Sequence, residues 1–282
     1  MPITLCAQKD DARRHLLAAK SDGKKVGIVP TMGALHQGHL SLVKAASSTC
    51  NYTAVTIFVN PSQFGPGEDL EKYPRDLNRD LELLDGLGVD LVFAPNPDEI
   101  YTPSHSTWIQ PPDVALPLEG ERRPGHFRGV ATIVLKLFQI LPADVAFFGQ
   151  KDFQQTRVIQ DMVADLDLPI SAQVCVTVRE PDGLALSSRN AYLSNAERQR
   201  SVAIPQALTL AVQLFRDGQT DAAVVHDAMV KHLQAAGIDS IDYVALVDEE
   251  KLQPVARLTK GNMILIAAYS GGTRLIDNVQ LN

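Results

Sequence analysis

The sequence predicts an α/β protein with a doubly wound, Rossmann-like parallel sheet and a smaller C-terminal α+β domain. Short apolar runs alternate with helical segments over the first two thirds of the chain, and each connection is long enough for a crossover. From about Glu180 the pattern changes to a long amphipathic helical stretch and two short apolar runs. We therefore expect a first domain over residues 1–178 and a second over residues 179–282.

The strands and helices of the first domain are predicted from apolar spacing. Residues 25–30 form a β-rich run that ends at a proline, and residues 34–46 carry apolar side chains at helical spacing. Residues 54–59 are continuously apolar, as in a parallel strand buried on both faces. Leucines at helical spacing predict a helix over 74–86. The remaining predicted elements are strands over 89–93, 144–148 and 174–178 and helices over 129–141 and 153–166.

The second domain is predicted to combine helices with a short sheet. Residues 196–234 are amphipathic and helical in pattern, with Gly218 interrupting them, and residues 243–247 and 263–268 are short apolar strands.

Composition excludes several classes of protein. At 45% hydrophobic and 21% charged residues the chain has an ordinary globular composition, and a net charge of −7 argues against a dedicated nucleic-acid binder. The longest apolar stretch, 131–141, is too short to span a bilayer. Three scattered cysteines without CxxC spacing fit reduced thiols. We expect a cytoplasmic protein with no nucleic-acid or membrane partner.

The first candidate site lies in the segment from Pro30 to His39. A strand ends at Pro30, Gly33 permits a tight turn, and a helix begins near His36 or Gly38, which places backbone N–H groups and a helix N-terminus where an anion could sit. On a helix His36 and His39 share one face and could both donate hydrogen bonds to charged oxygen. A polar turn with two exposed histidines and a pair of metal ligands are the alternatives. Ligands bind beside such strand ends in doubly wound sheets, which favours the anion site.

Three further loops at strand ends carry polar groups of the same kind. Asn60 and Gln63 follow the second predicted strand and offer uncharged amides for hydroxyl or carboxylate groups, although Asn-Pro is also a common turn. Gly149, Lys151 and Asp152 follow the fourth and suit a close approach to phosphate.

A loop with two serines and an arginine offers hydrogen-bond donors for phosphate oxygens. Alternatively, it is only a capped loop that leads into the next helix. It comprises Ser187, Ser188 and Arg189. A second cluster holds Arg122, Arg123 and Arg128, for which phosphate binding, a partner contact and a solvated loop are all open. Taken together, the strand-end loops predict a nucleoside triphosphate bound across the crevice.

These residues also carry a family resemblance. His36-Gln-Gly-His39 resembles the HxGH motif of the nucleotidyltransferase superfamily, and Leu186-Ser-Ser-Arg189 resembles a shortened form of its KMSKS-type loop. The strings PTMGALHQGH, FVNPSQF, RPGHFRGV, FGQKDFQQ, DGLALSSRN and RLIDN, in this order, resemble the pantoate–β-alanine ligase family.

The resemblance implies that pantoate is condensed with β-alanine at the expense of ATP, releasing AMP and pyrophosphate, with magnesium carried by the ATP phosphates and no metal site in the protein. It implies catalytic roles for His39, His36 and Lys151, and pantoate and β-alanine contacts by Gln63, Gln155 and Asn60. The implied ATP-binding residues are Met32, Gly33, Ala34, Leu35, His36, Gln37, Gly38, His39, Gly149, Gln150, Lys151, Asp152, Val178, Leu186, Ser187, Ser188 and Arg189. At Gln150 the chain departs from the family, where many members have Glu. A homodimer is implied as well.

The residues leave other functions open. A different adenylyl or cytidylyl transferase with an HxGH motif would need more cations near Gln63 and Gln155. A non-catalytic nucleotide-binding regulator and an HxxH metallohydrolase are the remaining alternatives. For the ligase, we expect the small domain to close over ATP, since the loop at 187–189 lies near the predicted domain join.

Overall fold

The computed structural model describes residues 2–282 and confirms the predicted fold class. Six parallel strands form one sheet in the order β1-β4-β3-β2-β5-β6, and three antiparallel strands form a second sheet in the order β7-β8-β9. The strands are β1 Thr4–Cys6, β2 Val26–Thr31, β3 Tyr52–Ile57, β4 Leu91–Phe93, β5 Val145–Gly149, β6 Ser171–Cys175, β7 Ser240–Val247, β8 Met263–Ser270 and β9 Thr273–Gln280.

Helices cover the parallel sheet and one face of the small sheet. They are α1 Lys9–Ser21, α2 Gln37–Thr49, α3 Leu77–Leu84, α4 Pro97–Ile100, α5 Glu119–Arg122, α6 His126–Ile140, α7 Phe153–Asp165, α8 Asn195–Ser201, α9 Ala203–Arg216 and α10 Ala222–Ala235. Short 3-10 turns lie at Pro61–Gln63, Asp113–Ala115, Gln150–Asp152 and Ser188–Tyr192. In residues 2–282 no helix is both long and apolar enough to cross a membrane.

Several predicted boundaries need correction. The strand predicted over 174–178 is β6, Ser171–Cys175. This is an edge strand, and Val176 beyond it is 78% exposed, so the apolar run did not mark burial. The helix predicted over 34–46 begins at Gln37, because Gly33 and Ala34 adopt left-handed backbone angles, with φ of +80° and +50°. Strand β1, helix α1 and strand β9 were missed.

The order of the strands determines where a ligand can bind. Strand β2 pairs with β3 on one side and with β5 on the other, and the chain reaches β5 only after crossing the sheet. In doubly wound sheets such a reversal leaves a crevice beyond the carboxyl ends of the strands. The loops after β2 and β5, which begin at Thr31 and Gly149, therefore flank one crevice.

The small sheet packs between two hydrophobic cores. Along β8, Met263 and Leu265 belong to the large core that also contains α6 and α7 side chains. The alternating residues Ile264 and Ile266 instead pack with α9 and α10 in a separate core. Because successive side chains of a strand point to opposite faces, β8 is buried on both sides.

Candidate active site

A cavity of about 230 Å³ opens beyond the carboxyl ends of β2 and β5. It brings together most of the residues singled out from the sequence, namely Met32, His36, Gly38, His39, Asn60, Gln63, Gly149, Lys151, Asp152, Gln155, Val178, Leu186, Ser187, Ser188 and Arg189. The residues that do not line it are Gly33, Ala34, Leu35, Gln37 and Gln150. The four separate strand-end loops thus surround a single space, as the sequence predicted.

The turn between β2 and α2 is held by a buried carboxylate. Asp80, 2% exposed on α3, accepts hydrogen bonds from the N–H of Ala34 (3.0 Å) and of Leu35 (2.8 Å). The N–H of Gly33 donates to the Thr31 hydroxyl at 3.2 Å. These three N–H groups already have acceptors within the protein, so they are not free to bind an anion. A contact with ATP through other atoms of these residues stays a prediction.

The two histidines of the HxGH segment have rings in close, tilted contact and are neutral. Their ring centroids are 4.1 Å apart. The N–H of Gly38 donates to His36 Nδ1 at 3.1 Å, which leaves the proton of a neutral ring on Nε2. Burial lowers the pKa of His36 to about 4, with a smaller contribution from Lys151. Burial and the neighbouring His36 lower the pKa of His39 to about 3. At neutral pH both rings therefore act as uncharged hydrogen-bond donors or acceptors.

A third buried histidine, His126, lies at the cavity wall. Its Nδ1–H donates to the carbonyl of Gln63 at 2.8 Å, which leaves Nε2 to accept from Arg123 at 3.1 Å. Burial and the Arg123 charge lower the pKa of His126 to about 4. Arg123 also makes two hydrogen bonds to Glu68, at 2.8 and 2.7 Å. His126 thus fixes the backbone that carries Gln63.

The buried histidines predict that the protein loses stability in acid. As pH falls below about 6.5 the unfolded chain takes up protons on these rings, while the folded chain does not until about pH 4. The free energy of unfolding should therefore decrease between pH 6.5 and 4. The melting temperature, measured across this pH range, should fall less steeply with decreasing pH for His126→Gln than for the wild type. The same slope in both would contradict the assignment, and His15→Gln, at an exposed histidine, is the control.

Lys151 and the loop at 187–189 both line the cavity. The Lys151 ammonium lies 3.6 Å from Asp152 Oδ1 and is largely shielded from solvent. Arg189 is held by Asp69 through two hydrogen bonds, of 3.1 and 2.8 Å. The Ser187 hydroxyl accepts from the N–H of Arg189 at 3.3 Å. Cations and hydroxyl donors therefore converge on one space, an arrangement that suits phosphate oxygens.

The amides on the other side of the cavity are pre-oriented. Asn60, 1% exposed, donates to Gln63 Oε1 at 3.0 Å and to the carbonyl of Gly129 at 3.3 Å. Its own carbonyl oxygen accepts from Tyr101 at 2.9 Å. Asn60 is thus fully engaged by protein groups and orients Gln63, whereas its direct contact with a substrate stays a prediction. Gln155, on α7, lines the same wall.

Some residues of the site could not be assigned from the sequence. Of the arginine cluster, Arg123 lines the cavity, whereas Arg122 donates to the carbonyl of Asp242 at 2.9 Å and Arg128 lies over the ring of Trp108 at 4.5 Å. Tyr73 also lines the cavity. Asp80 lies outside it and holds the turn between β2 and α2. The RPGHFRGV string pointed to Arg123 and His126, whereas nothing local distinguishes Asp80 from a surface acid.

Comparison with known proteins decides the family. The family model described as pantoate-beta-alanine ligase matches residues 4–280 of the chain. The chain belongs to the pantoate–β-alanine ligase family. Its relatives include the pantothenate synthetase of Thermotoga neapolitana, 50% identical with 92% of each chain covered. That of Rhodopirellula baltica is 50% identical, with 96% of each chain covered.

Solved structures agree with this assignment. Pantothenate synthetase from Thermus thermophilus superposes on the ligase with a TM-score of 0.94 at 40% identity and covers 99% of both chains. The pantoate-beta-alanine ligase of Francisella tularensis, solved in complex with beta-gamma ATP and beta-alanine, has a TM-score of 0.80 at 34% identity, covering 99% of this chain and 97% of that one. Membership of this family makes the protein a ligase, which sets aside the regulator and metallohydrolase alternatives.

Proposed function

We propose that this cavity condenses pantoate with β-alanine through a pantoyl adenylate, consuming ATP and releasing AMP and pyrophosphate. The observation that carries the proposal is the placement of a neutral histidine pair, Lys151 and the pre-oriented amides of Asn60 and Gln63 in one cavity. Hydrogen-bond donors for phosphate, together with neutral amides in the same cavity, suit a triphosphate beside a hydroxy acid.

The first step overcomes the poor reactivity of a carboxylate. A pantoate carboxylate oxygen, with pantoate held by Gln63 and Gln155, attacks the α-phosphorus of ATP. The bond from that phosphorus to the bridging oxygen of pyrophosphate breaks. Negative charge grows on the phosphate oxygens, where His36, His39 and Lys151 stabilise it. Because both rings are neutral, each histidine contributes a hydrogen bond rather than a charge.

The second step uses the activated acyl group. The amine of β-alanine attacks the acyl carbon and loses a proton, and AMP leaves with the electron pair of the broken acyl–oxygen bond. We place the nucleotide along residues 32–39, 149–152, 178 and 186–189, most of which line the cavity.

Magnesium fits the site as part of the nucleotide complex. Mg²⁺ usually binds one or two carboxylates together with substrate phosphates. The Asp152 carboxylate lines the cavity beside Lys151 and is 48% exposed, so it can reach a cation carried by ATP. In residues 2–282 no cluster of three His, Cys, Asp or Glu side chains could hold a metal by itself. When bound, the ion would neutralise charge on the β- and γ-phosphates.

The domain division, the assembly and the location belong to the same proposal. We place the domain boundary at 178/179, with residues 179–282 as a small domain that closes over ATP. The separate core around α9 and α10 supports the division, and the contact of Arg189 with Asp69 supports a closing motion. We further propose a homodimer in the cytoplasm.

Exchange of labelled pyrophosphate into ATP tests the proposed chemistry. With magnesium and pantoate but without β-alanine, the ligase should exchange label, because adenylate formation is reversible. Omitting pantoate should abolish exchange. Failure to exchange, in protein shown to bind ATP, would overturn the adenylate step.

A further inference from the structure

The C-terminal strand β9 makes three contacts outside its own sheet, one of which reaches a residue of the site. Arg274 pairs with Glu119, next to α6, and Asp277 holds Arg179 through two hydrogen bonds of 2.6 and 2.9 Å. The third contact, through Asn278, reaches the turn that carries Lys151. These three residues belong to the RLIDN string, to which the proposed chemistry assigns no part.

Asn278 holds the backbone of the Lys151 turn directly. Its side-chain Nδ2 donates to the carbonyl of Gln150 and to the carbonyl of Lys151, both at 2.9 Å. Its Oδ1 accepts from the Gln150 side chain at 3.4 Å. Asn278 is 3% exposed and does not line the site cavity, so it has no direct access to a substrate there.

The turn depends on this amide for its position. Gln150–Asp152 is a 3-10 turn between β5 and α7, and Lys151 projects from its centre into the cavity. The backbone of this turn is anchored from the other sheet by one buried amide that satisfies two carbonyls. Loss of the amide would leave two partly buried carbonyls without this donor, which would favour a shift of the turn. A shift of about 1 Å in a catalytic group can reduce a rate by about 10²-fold.

We propose that Asn278 is a positioning residue that holds the Gln150–Lys151 backbone, so that the Lys151 ammonium faces the phosphates of ATP. This inference rests on the role proposed above for Lys151. It makes the small sheet part of the catalytic apparatus through β9, in addition to any closing motion. It also accounts for Gln150, whose side chain and carbonyl contact Asn278 instead of the cavity.

A double-mutant cycle tests the inference. In the pyrophosphate exchange assay, Asn278→Ala should lower kcat by about 10-fold to 10²-fold. The KM for pantoate should change by less than about 3-fold, because Gln63 is unaffected. In a Lys151→Ala background the same change should cost less than about 3-fold, since no ammonium is left to position. Gln280→Ala, at an amide on the same strand that bonds Glu249 and Gly261, should leave exchange unchanged.

Asn278→Asp guards against a simple folding defect. It keeps the shape of the side chain and removes the N–H donors, so it should lose exchange at least as strongly as Asn278→Ala. Equal losses in both Lys151 backgrounds, or wild-type exchange in a folded Asn278→Ala protein, would overturn the inference. Failure of both variants to fold would overturn the inference too, because Asn278 would then be required for folding and not for the position of Lys151. Absence of exchange in the wild type would instead overturn the proposed function.

Discussion

Replacing Lys151 by alanine should slow pantoate-dependent pyrophosphate exchange by about 10²–10³-fold, the usual cost of removing one donor to developing charge. Lys151 lines the cavity, its ammonium lies 3.6 Å from Asp152 Oδ1, and its charge helps to lower the pKa values of both histidines. The backbone of its turn is held independently of its side chain, so the variant should stay folded. The measurement is the kcat of exchange at saturating ATP and pantoate.

The control for this prediction is Lys44→Ala, at an exposed lysine on α2. It removes the same charge from the same domain and should leave exchange within about 2-fold of the wild type, as for most surface substitutions. Near-wild-type exchange by a folded Lys151→Ala protein would remove Lys151 from the proposed chemistry.

Replacing Glu119 by alanine should lower the free energy of unfolding by about 3–5 kcal/mol, as expected when one partner of a buried ion pair is removed. Glu119 is 6% exposed and accepts from Arg274 at 2.8 and 2.7 Å and from the Tyr243 hydroxyl at 2.6 Å. Both donors lie in the small sheet. Alanine would leave them buried without this acceptor, although Arg274 would keep Asp242 at 2.7 Å. We therefore expect a value near the lower end of the range.

Urea unfolding measures this loss, with Asp227→Ala as the control. Asp227 also pairs with a neighbour, His226, but its side chain is 83% exposed, so its removal should cost at most about 1 kcal/mol. A loss below about 1 kcal/mol for Glu119→Ala would show that the contact contributes little to stability. The free energy of unfolding of Glu119→Gln, which retains the shape of the side chain, should lie between those of Glu119→Ala and the wild type.

The fold was predictable where burial and periodicity coincide. The strands over 54–59 and 144–148 are buried parallel strands, and their apolar runs identified them within a few residues. Strand β1 has three residues, one of them exposed, and offers too short a pattern. Strand β9 carries Arg274, Asp277 and Asn278 among its apolar residues, because these side chains pair with a helix, a loop and a turn outside the small sheet, and this hides the strand pattern.

The site was predictable to the extent that its residues lie next to one another in the sequence. The HxGH segment and the loops at 149–152 and 187–189 each form a local motif at a strand end, and the cavity unites them. Asp80 and Asn278 act through contacts that span 45 to 46 and 127 to 128 positions of the chain. Such partners are set by the tertiary fold, and no spacing rule along the chain reveals them.

The position of β9 in the chain has a consequence for the ligase during its synthesis. A nascent chain exposes every other described element before β9 has left the ribosome, and domains tend to fold as they emerge. Until then β8 is paired with β7 on one edge only, and the Lys151 turn lacks the amide of Asn278. The parallel sheet can fold early, but the Lys151 turn gains its contact with Asn278 only when β9 pairs. A released chain that ends before β9 would therefore leave one edge of β8 unpaired and the Lys151 turn without its anchor.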